Sequence, residues 1–258
     1  MAIRFRSYVS AATEVDPCLP LIHTTSTNAF RNVLSTGEIK ALKKCPVFGE
    51  YLTYFFYGRP AFKVEIENPE QRIIDDYLPA ALVLKASAIS RVKRIYPFDS
   101  GAFAGEYYRG AHHADAKLED YLLDPTINSA KKVVGAFFET NSRYFFGDCI
   151  KTCTVNPFDA PEVHAHFELI SGSTGVEVDD RRYTIEVQTE EEIDLSSSLL
   201  AFVIPHAWLA SESVQDFLRL HPSVLPLSYS RYVGMSIQSS HGAMFERIHD
   251  YLVSEGMT

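Results

Sequence analysis

The sequence predicts an α+β fold in a single domain, and three observations carry that prediction. Stretches of strand length, YLTYFFY at 51–57 and LLAFVIP at 199–205, stand far apart in the chain. Between them lie segments with helical spacing, such as Val133, Val134, Phe137 and Phe138 on or near one face. The 258 residues are 46% hydrophobic, enough for one sizeable core, and no repeat, low-complexity tail or linker divides them. The expected arrangement is one domain over 1–258, with a helical insertion at about 99–174 between two groups of strands.

Taken in order, PLIHTT (Pro20–Thr25) reads as a short buried strand ending in polar residues. Ser26 or Thr27 can cap the helix expected over Asn28–Ser35, whose Phe30, Val33 and Leu34 make its apolar face. Gly37 stands where such a helix closes. Lys40–Glu50 is expected as a loop, and Glu65–Tyr77 as a loop or exposed helix. Ala80–Lys85 and Val92–Pro97 have strand composition, while Asp99–His113 is rich in glycine and aromatic residues and reads as a mobile loop. Helices are expected over Ala116–Leu123 and Ser129–Glu139, and a Gly/Ser-rich loop over Ile170–Asp180. Strands follow at Arg182–Gln188, Leu199–Pro205 and Val224–Tyr229, the last interrupted by Pro226, and a helix closes the chain near Gly242–Ser254.

Charge and cysteine usage narrow the function classes. A net charge of −9 argues against broad, non-specific binding to nucleic acid, though it leaves room for a local basic cleft. No apolar run has membrane-spanning length, and the opening residues MAIRFRSYVSAA lack the apolar region of a signal peptide, so a cytoplasmic protein with no membrane contact is expected. Cys18, Cys45, Cys149 and Cys153 show no paired-ligand spacing and read as reduced thiols.

The stretch YLTYFFYGRPAF (Tyr51–Phe62) is the candidate centre of the site. It alternates Leu52, Tyr54 and Phe56 with Thr53, Phe55 and Tyr57, then breaks at Gly58-Arg59-Pro60, where a rigid turn would hold one cation in place. The plain alternative is an aromatic core strand with a surface arginine. Downstream, RYTIEVQ puts Tyr183, Ile185 and Val187 on one face and Arg182, Thr184, Glu186 and Gln188 on the other. An exposed polar face is the ordinary reading of such alternation. The glycine-rich loop before it, ending Asp179-Asp180-Arg181, favours a cleft edge.

Three segments in this order resemble the ADP-ribosyltransferase superfamily, and within it the DarT-type, DNA-targeting toxin branch. LIHTTSTNAFRNVLSTG is similar to that family's first strand and helix, YFFYGRPAF to its Tyr-Phe, gap, Arg, Pro pattern, and YTIEVQ to the strand bearing its catalytic glutamate. LLAFVIP resembles the next core strand. The turn differs from the toxin branch in having no serine between Arg59 and Pro60. The resemblance implies a mixed β-sandwich of two packed sheets around an NAD cleft. It also implies roles for particular residues. His23 would hydrogen-bond the adenosine ribose or the nicotinamide amide, with Thr24 or Thr25 satisfying further ribose or amide groups. Tyr54 would stack on the nicotinamide ring. Glu186 would be the catalytic carboxylate. Arg59, counted with Glu186 among the catalytic candidates, would hold the pyrophosphate or help bind the acceptor.

The expected activity is transfer of ADP-ribose from NAD, used as substrate, to a macromolecular acceptor, with nucleic acid among the candidates. A bacterial toxin or anti-phage effector controlled by a regulatory or antitoxin protein fits that resemblance. The rivals are an NAD glycohydrolase, in which water is the acceptor, and an inactive module that binds a nucleotide or a protein.

Other residues carry weaker signals. His164 and His166 would share a face if their segment were a strand; Asp159 and Glu162 are near in sequence, yet no third ligand is obvious and no metal is expected. His112, His113 and Asp115 read as solvated or cleft-lining, Glu190–Glu192 as a solvated turn, and Trp208 as a packing anchor. Glu139 competes with Glu186 for the acid role, and pairing with Arg143 explains its position at a helix end equally well. Asp99 and Arg109 are candidates to cover the NAD site or touch the acceptor.

Overall fold

The computed structural model describes residues 4–61, 75–172, 180–232 and 234–258. Phe62 of the central stretch, most of Glu65–Tyr77 and most of Ile170–Asp180 lie outside the described residues. In chain order the elements are α1 (Phe5–Ser10), β1 (Leu21–Ser26), α2 (Thr27–Thr36), β2 (Glu38–Ile39), β3 (Thr53–Tyr57), β4 (Pro79–Leu84), β5 (Arg94–Tyr96) and α3 (Ser100–Ala104). The helices α4 (Ile127–Phe137), α5 (Asn141–Phe146) and α6 (Pro161–Ser171) follow. The second group of strands comprises β6 (Glu186–Thr189), β7 (Ile193–Asp194), β8 (Leu199–Pro205) and β9 (Leu225–Tyr229), with α7 (Leu195–Ser198) and α8 (Glu212–Leu220) between them and α9 (Ile237–Ser254) last.

The fold is mixed α/β and agrees with an α+β class. Seven strands form one sheet in the order β5-β6-β3-β1-β4-β8-β9, and β2 pairs with β7 in a separate two-stranded ladder. Every pairing in the large sheet is antiparallel except β8 with β9. Two packed mixed sheets were expected; the described strands make this one seven-stranded sheet and the short β2–β7 ladder. The reason lies in β1, which pairs with β3 on one side and β4 on the other and so joins both groups of strands. Its junction with β3 is short, only Leu21↔Tyr57 and Ile22↔Phe56, whereas the ladder to β4 runs from Leu21 to Ser26.

Local chemistry accounts for the elements around the site. The Ser26 hydroxyl accepts from the Ala29 N–H to start α2, and Gly37 ends it in the left-handed conformation at φ 72°. Every residue of β4 is buried, as a continuous apolar run in a central strand requires. Phe30 of α2 and Phe217 of α8 meet Phe202 of β8 with ring centroids 5.4 and 6.5 Å away, and α9 packs on β4, β8 and β9.

After β3 the chain turns at Gly58, whose φ is 63° and whose N–H donates to the Pro20 carbonyl at 2.8 Å. A Cβ here would stand 2.3 Å from Leu19 Cδ1. Leu19 is fully buried, so it has little room to retreat. Gly58→Ala is therefore expected to cost about 2 kcal/mol or more, from left-handed strain plus overpacking, read as a lower denaturant midpoint.

The segment expected as a mobile loop, Asp99–His113, is packed in its inner half. Ala102 and Tyr108 are buried, and Phe103 stacks on Phe98 at 5.4 Å. Phe98, Tyr121, Phe137 and His166 join Phe5 of α1 in one aromatic cluster that fastens the helical insertion to the N-terminal segment. Glycine punctuates this segment, while its aromatic residues supply the buried area that orders it.

The condition under which His164 and His166 would share a face, a strand, is not met: both stand on the helix α6, which Pro161 opens at its first turn. The His164 ring meets the Val155 carbonyl at 2.8 Å, while His166 is wholly buried with neither ring nitrogen hydrogen-bonded. Burial pushes the His166 pKa down to about 3, so the folded protein resists its protonation. A base with a lowered folded pKa loses stability as pH falls below its unfolded value of about 6.5. His166→Leu should therefore flatten the acid side of the stability curve, by up to about 1.4 kcal/mol per pH unit below 6.5. Thermal melts of both proteins across that range check it.

Candidate active site

The site forms where β6 lies between β3 and β5. Glu186 faces Phe56 across one ladder and Tyr96 across the other, and Gln188 faces Tyr54 and Arg94 in the same way. Tyr54, Phe56, Glu186 and Gln188 thus share one face of the sheet, because directly paired residues project to the same side. All of β6 is buried on both faces, so the polar face expected to border solvent is covered. What covers it is α3.

Glu186 is 1% exposed and every oxygen it offers is engaged. The Ser100 N–H donates to Oε2 at 3.1 Å, the Ser100 hydroxyl to Oε1 at 2.7 Å, and the Gln188 amide to Oε1 at 2.6 Å. Those three bonds favour the ionised carboxylate, but burial outweighs them and the nearby Asp99 charge adds to it, pushing the Glu186 carboxyl up to about 8. Gln188 is in turn held by Arg94, whose Nη1 donates to its Oε1 at 3.3 Å. Arg94 grips Glu50 with both terminal nitrogens, at 2.8 and 3.0 Å, and lies 4.4 Å over the Phe48 ring. A chain of contacts from Glu50 through Arg94 and Gln188 therefore fixes the acid's orientation.

Tyr54 is half-buried beside this network. Burial pushes its phenol up, helped by a hydrogen bond to Cys45 and by the Glu186 and Asp99 charges, so its hydroxyl stays protonated. His23 stands on β1, one residue beyond the β1–β3 ladder. Its Nδ1–H donates to the Tyr54 carbonyl at 2.9 Å, so Nε2 carries the lone pair, and burial lowers its pKa and keeps the ring neutral. Register puts His23 and Thr25 on the sheet face opposite Glu186, with the His23 ring 5.5 Å from Phe55. Thr24 is on the Glu186 face and its hydroxyl donates to the Ala61 carbonyl, tying the Gly58–Ala61 turn to β1. Thr25 is half-buried and pairs with Ala80.

Compared with family models, with curated proteins and with solved structures, the chain matches none.

Arg59 is directed elsewhere. It is 5% exposed, and Nη1 donates to the carbonyls of Phe145 at 2.6 Å and Tyr144 at 3.3 Å, at the end of α5. Its guanidinium lies 5.0 Å over Tyr183 and 5.1 Å over Phe245, with Asp180 Oδ2 at 3.9 Å. The structure thus uses Arg59 to terminate a helix of the insertion and dock it beside the sheet.

The remaining candidates are dispersed. Asp99 caps α3 through the Ala102 N–H at 2.6 Å and faces Arg181 at 3.7 Å, while Arg109 is exposed and paired with Glu106. His112 meets the Tyr121 hydroxyl at 2.8 Å, and His113 and Asp115 are exposed. Of the Glu190–Glu192 turn, Glu190 pairs with Lys93 at 2.7 Å and Glu191 accepts the N–H groups of Ser90 and Arg91. Glu139 pairs with Arg143 at the edge of a cavity of about 550 Å³ that Asp148 and Lys151 also line. Trp208, with Arg31 5.3 Å over its ring, borders a cavity of about 330 Å³ with His206 and Tyr232. Glu186 lines neither. No group of three or more His, Cys, Asp or Glu side chains suited to a metal occurs among the described residues. No described helix is long and apolar enough to cross a membrane.

Ser100 and Gln188 are the site residues that reading for catalytic types missed. Gln188 had a signal, two positions after Glu186 in strict alternation. Ser100 had a fainter one, following an Asp suited to cap a helix.

Proposed function

We propose that the chain is an NAD-dependent ADP-ribosyltransferase, with an ADP-ribosyltransferase-like fold in which β6, β3 and β1 carry Glu186, Tyr54 and His23 on three adjacent strands. The observation that carries the reading is the fully buried Glu186 carboxyl, oriented by Gln188 on the face it shares with Tyr54. A carboxyl kept out of water costs stability and persists where it serves a task. Here the task is to meet the ribose 2″-hydroxyl of NAD. Breaking the nicotinamide–ribose bond builds positive charge at C1″, and a carboxylate on the 2″-hydroxyl stabilises that charge more than the ground state. Tyr54 offers its ring face to the cationic nicotinamide. His23, through the Tyr54 carbonyl, fixes the backbone that carries that ring.

No step is assigned to Arg59, whose donors are given to α5. Glu186 must be ionised to act, so NAD cleavage should rise with pH. Nicotinamide release in the presence of cell lysate tests the reading, and radiolabelled NAD shows whether a macromolecule receives ADP-ribose. Loss of that label to nuclease or to protease identifies the acceptor class. A wild-type protein that neither binds nor consumes NAD would overturn it.

A further inference from the structure

Glu186 is buried, yet it is not deep. Among the described residues α3 lies over it through Ser100, and Gly101, Ala104 and Gly105 of that segment are exposed. Ser100, the residue making the contact, is itself 1% exposed and stands at the first helical position after the Asp99 cap. It gives two donors to two carboxyl oxygens, the backbone N–H to Oε2 and the hydroxyl to Oε1.

We propose that the Asp99–Gly105 segment is a gate over Glu186, latched by Ser100 and displaced when a vicinal diol of the substrate takes over the carboxylate. The inference rests on the reading of Glu186 given above. Two neighbouring ribose hydroxyls supply the same pair of donors that Ser100 supplies, so the exchange leaves the carboxylate satisfied on both sides. In the closed state Ala102 is buried and Phe103 stacks on Phe98, so opening lifts both off the aromatic cluster, and Phe98, Tyr108 and Tyr121, which lie outside the segment, are the fixed post. Asp99 moves with the gate. In the closed state it raises the Glu186 pKa and faces Arg181 at 3.7 Å. Burial is the larger cause of the raised value, and opening the segment relieves it together with the Asp99 charge. Ser100 is on this account a positioning residue that acts through Glu186.

The test measures access to Glu186 separately from turnover. The full-length protein is treated with a carbodiimide and an amine nucleophile at mildly acidic pH, and labelling at Glu186 is followed by peptide mass spectrometry. Wild type, Ser100→Ala and Ser100→Pro are compared; proline suits the first helical position and removes both donors. Glu186 should be nearly unlabelled in wild type and label about tenfold faster for each hydrogen bond lost. In parallel, the KM for NAD should fall in both variants, since the closed state competes with substrate. Circular dichroism melts confirm that each variant is folded. Where Ser100→Pro melts early, Ser100→Ala alone carries the comparison. Unchanged labelling in a folded variant overturns the gate. So does a fall in kcat with no change in labelling, which would make Ser100 part of the working site. Faster labelling with no NAD consumption by any of the proteins keeps the gate and removes the transferase reading.

Discussion

Glu186→Gln should reduce nicotinamide release by about 10²–10³-fold, the loss typical of one charge-stabilising group aimed at a transition state. The variant keeps an amide oxygen for the Ser100 hydroxyl and the Gln188 amide and loses the acceptor of the Ser100 N–H, so it should fold with somewhat lower stability, and NAD binding should weaken far less than turnover. The same substitution has a pH signature in stability. A carboxyl whose folded pKa is raised holds its proton more tightly when folded. Its stabilising contribution is complete below the unfolded value of about 4.5 and is lost as pH rises toward about 8. Wild type should thus weaken relative to Glu186→Gln across that window, and paired melts read it directly. Activity runs the other way, rising over the same window as the carboxylate forms.

Arg59→Ala should destabilise the fold by about 3 kcal/mol or more. It leaves the Tyr144 and Phe145 carbonyls without their donor, opens space between Tyr183 and Phe245, and strands Asp180. Arg59→Lys should recover only part of this, because one ammonium cannot reproduce a planar guanidinium stacked between rings. Denaturant titration gives the first result and NAD kinetics give its discriminating partner. A variant of unchanged stability with a raised KM would return Arg59 to the pyrophosphate role that the family resemblance implies.

How far the fold was legible depended on whether a residue's neighbours in sequence were also its neighbours in space. The Ser26 cap, the α2 face and the Gly37 stop are local, and they appear where the spacing puts them. The strands β1, β3, β4, β8 and β9 follow their apolar runs within a residue or two. The strand expected over Arg182–Gln188 begins only at Glu186, because Asp180–Tyr183 form a 3₁₀ turn in which the Thr184 N–H and hydroxyl both donate to the Arg181 carbonyl. The helices α1, α3, α5, α6, α7 and α8 were not anticipated, and the helix expected over Ala116–Leu123 is a single 3₁₀ turn at Leu118–Tyr121. The aromatic cluster holds α6 and the Leu118–Tyr121 turn, whereas α5 has local signals in the Thr140 cap and the Gly147 stop, and α8 in Ser211 and the Val214/Phe217 face.

The site divides along the same line. Tyr54, Glu186 and Gln188 come together because alternation and register are both readable rules. Arg59 was expected to face a ligand, and the carbonyls it meets are more than eighty residues away, so nothing near it in sequence announced them. Ser100 reaches Glu186 across a similar separation.

The most direct measurement is a crystal structure of Glu186→Gln with NAD bound, since that variant holds substrate without turning it over. The ribose diol should lie within hydrogen-bonding distance of residue 186 with the nicotinamide against Tyr54, and α3 should have moved off the carboxyl position. NAD bound elsewhere on the protein, with Ser100 still against residue 186, would contradict the account.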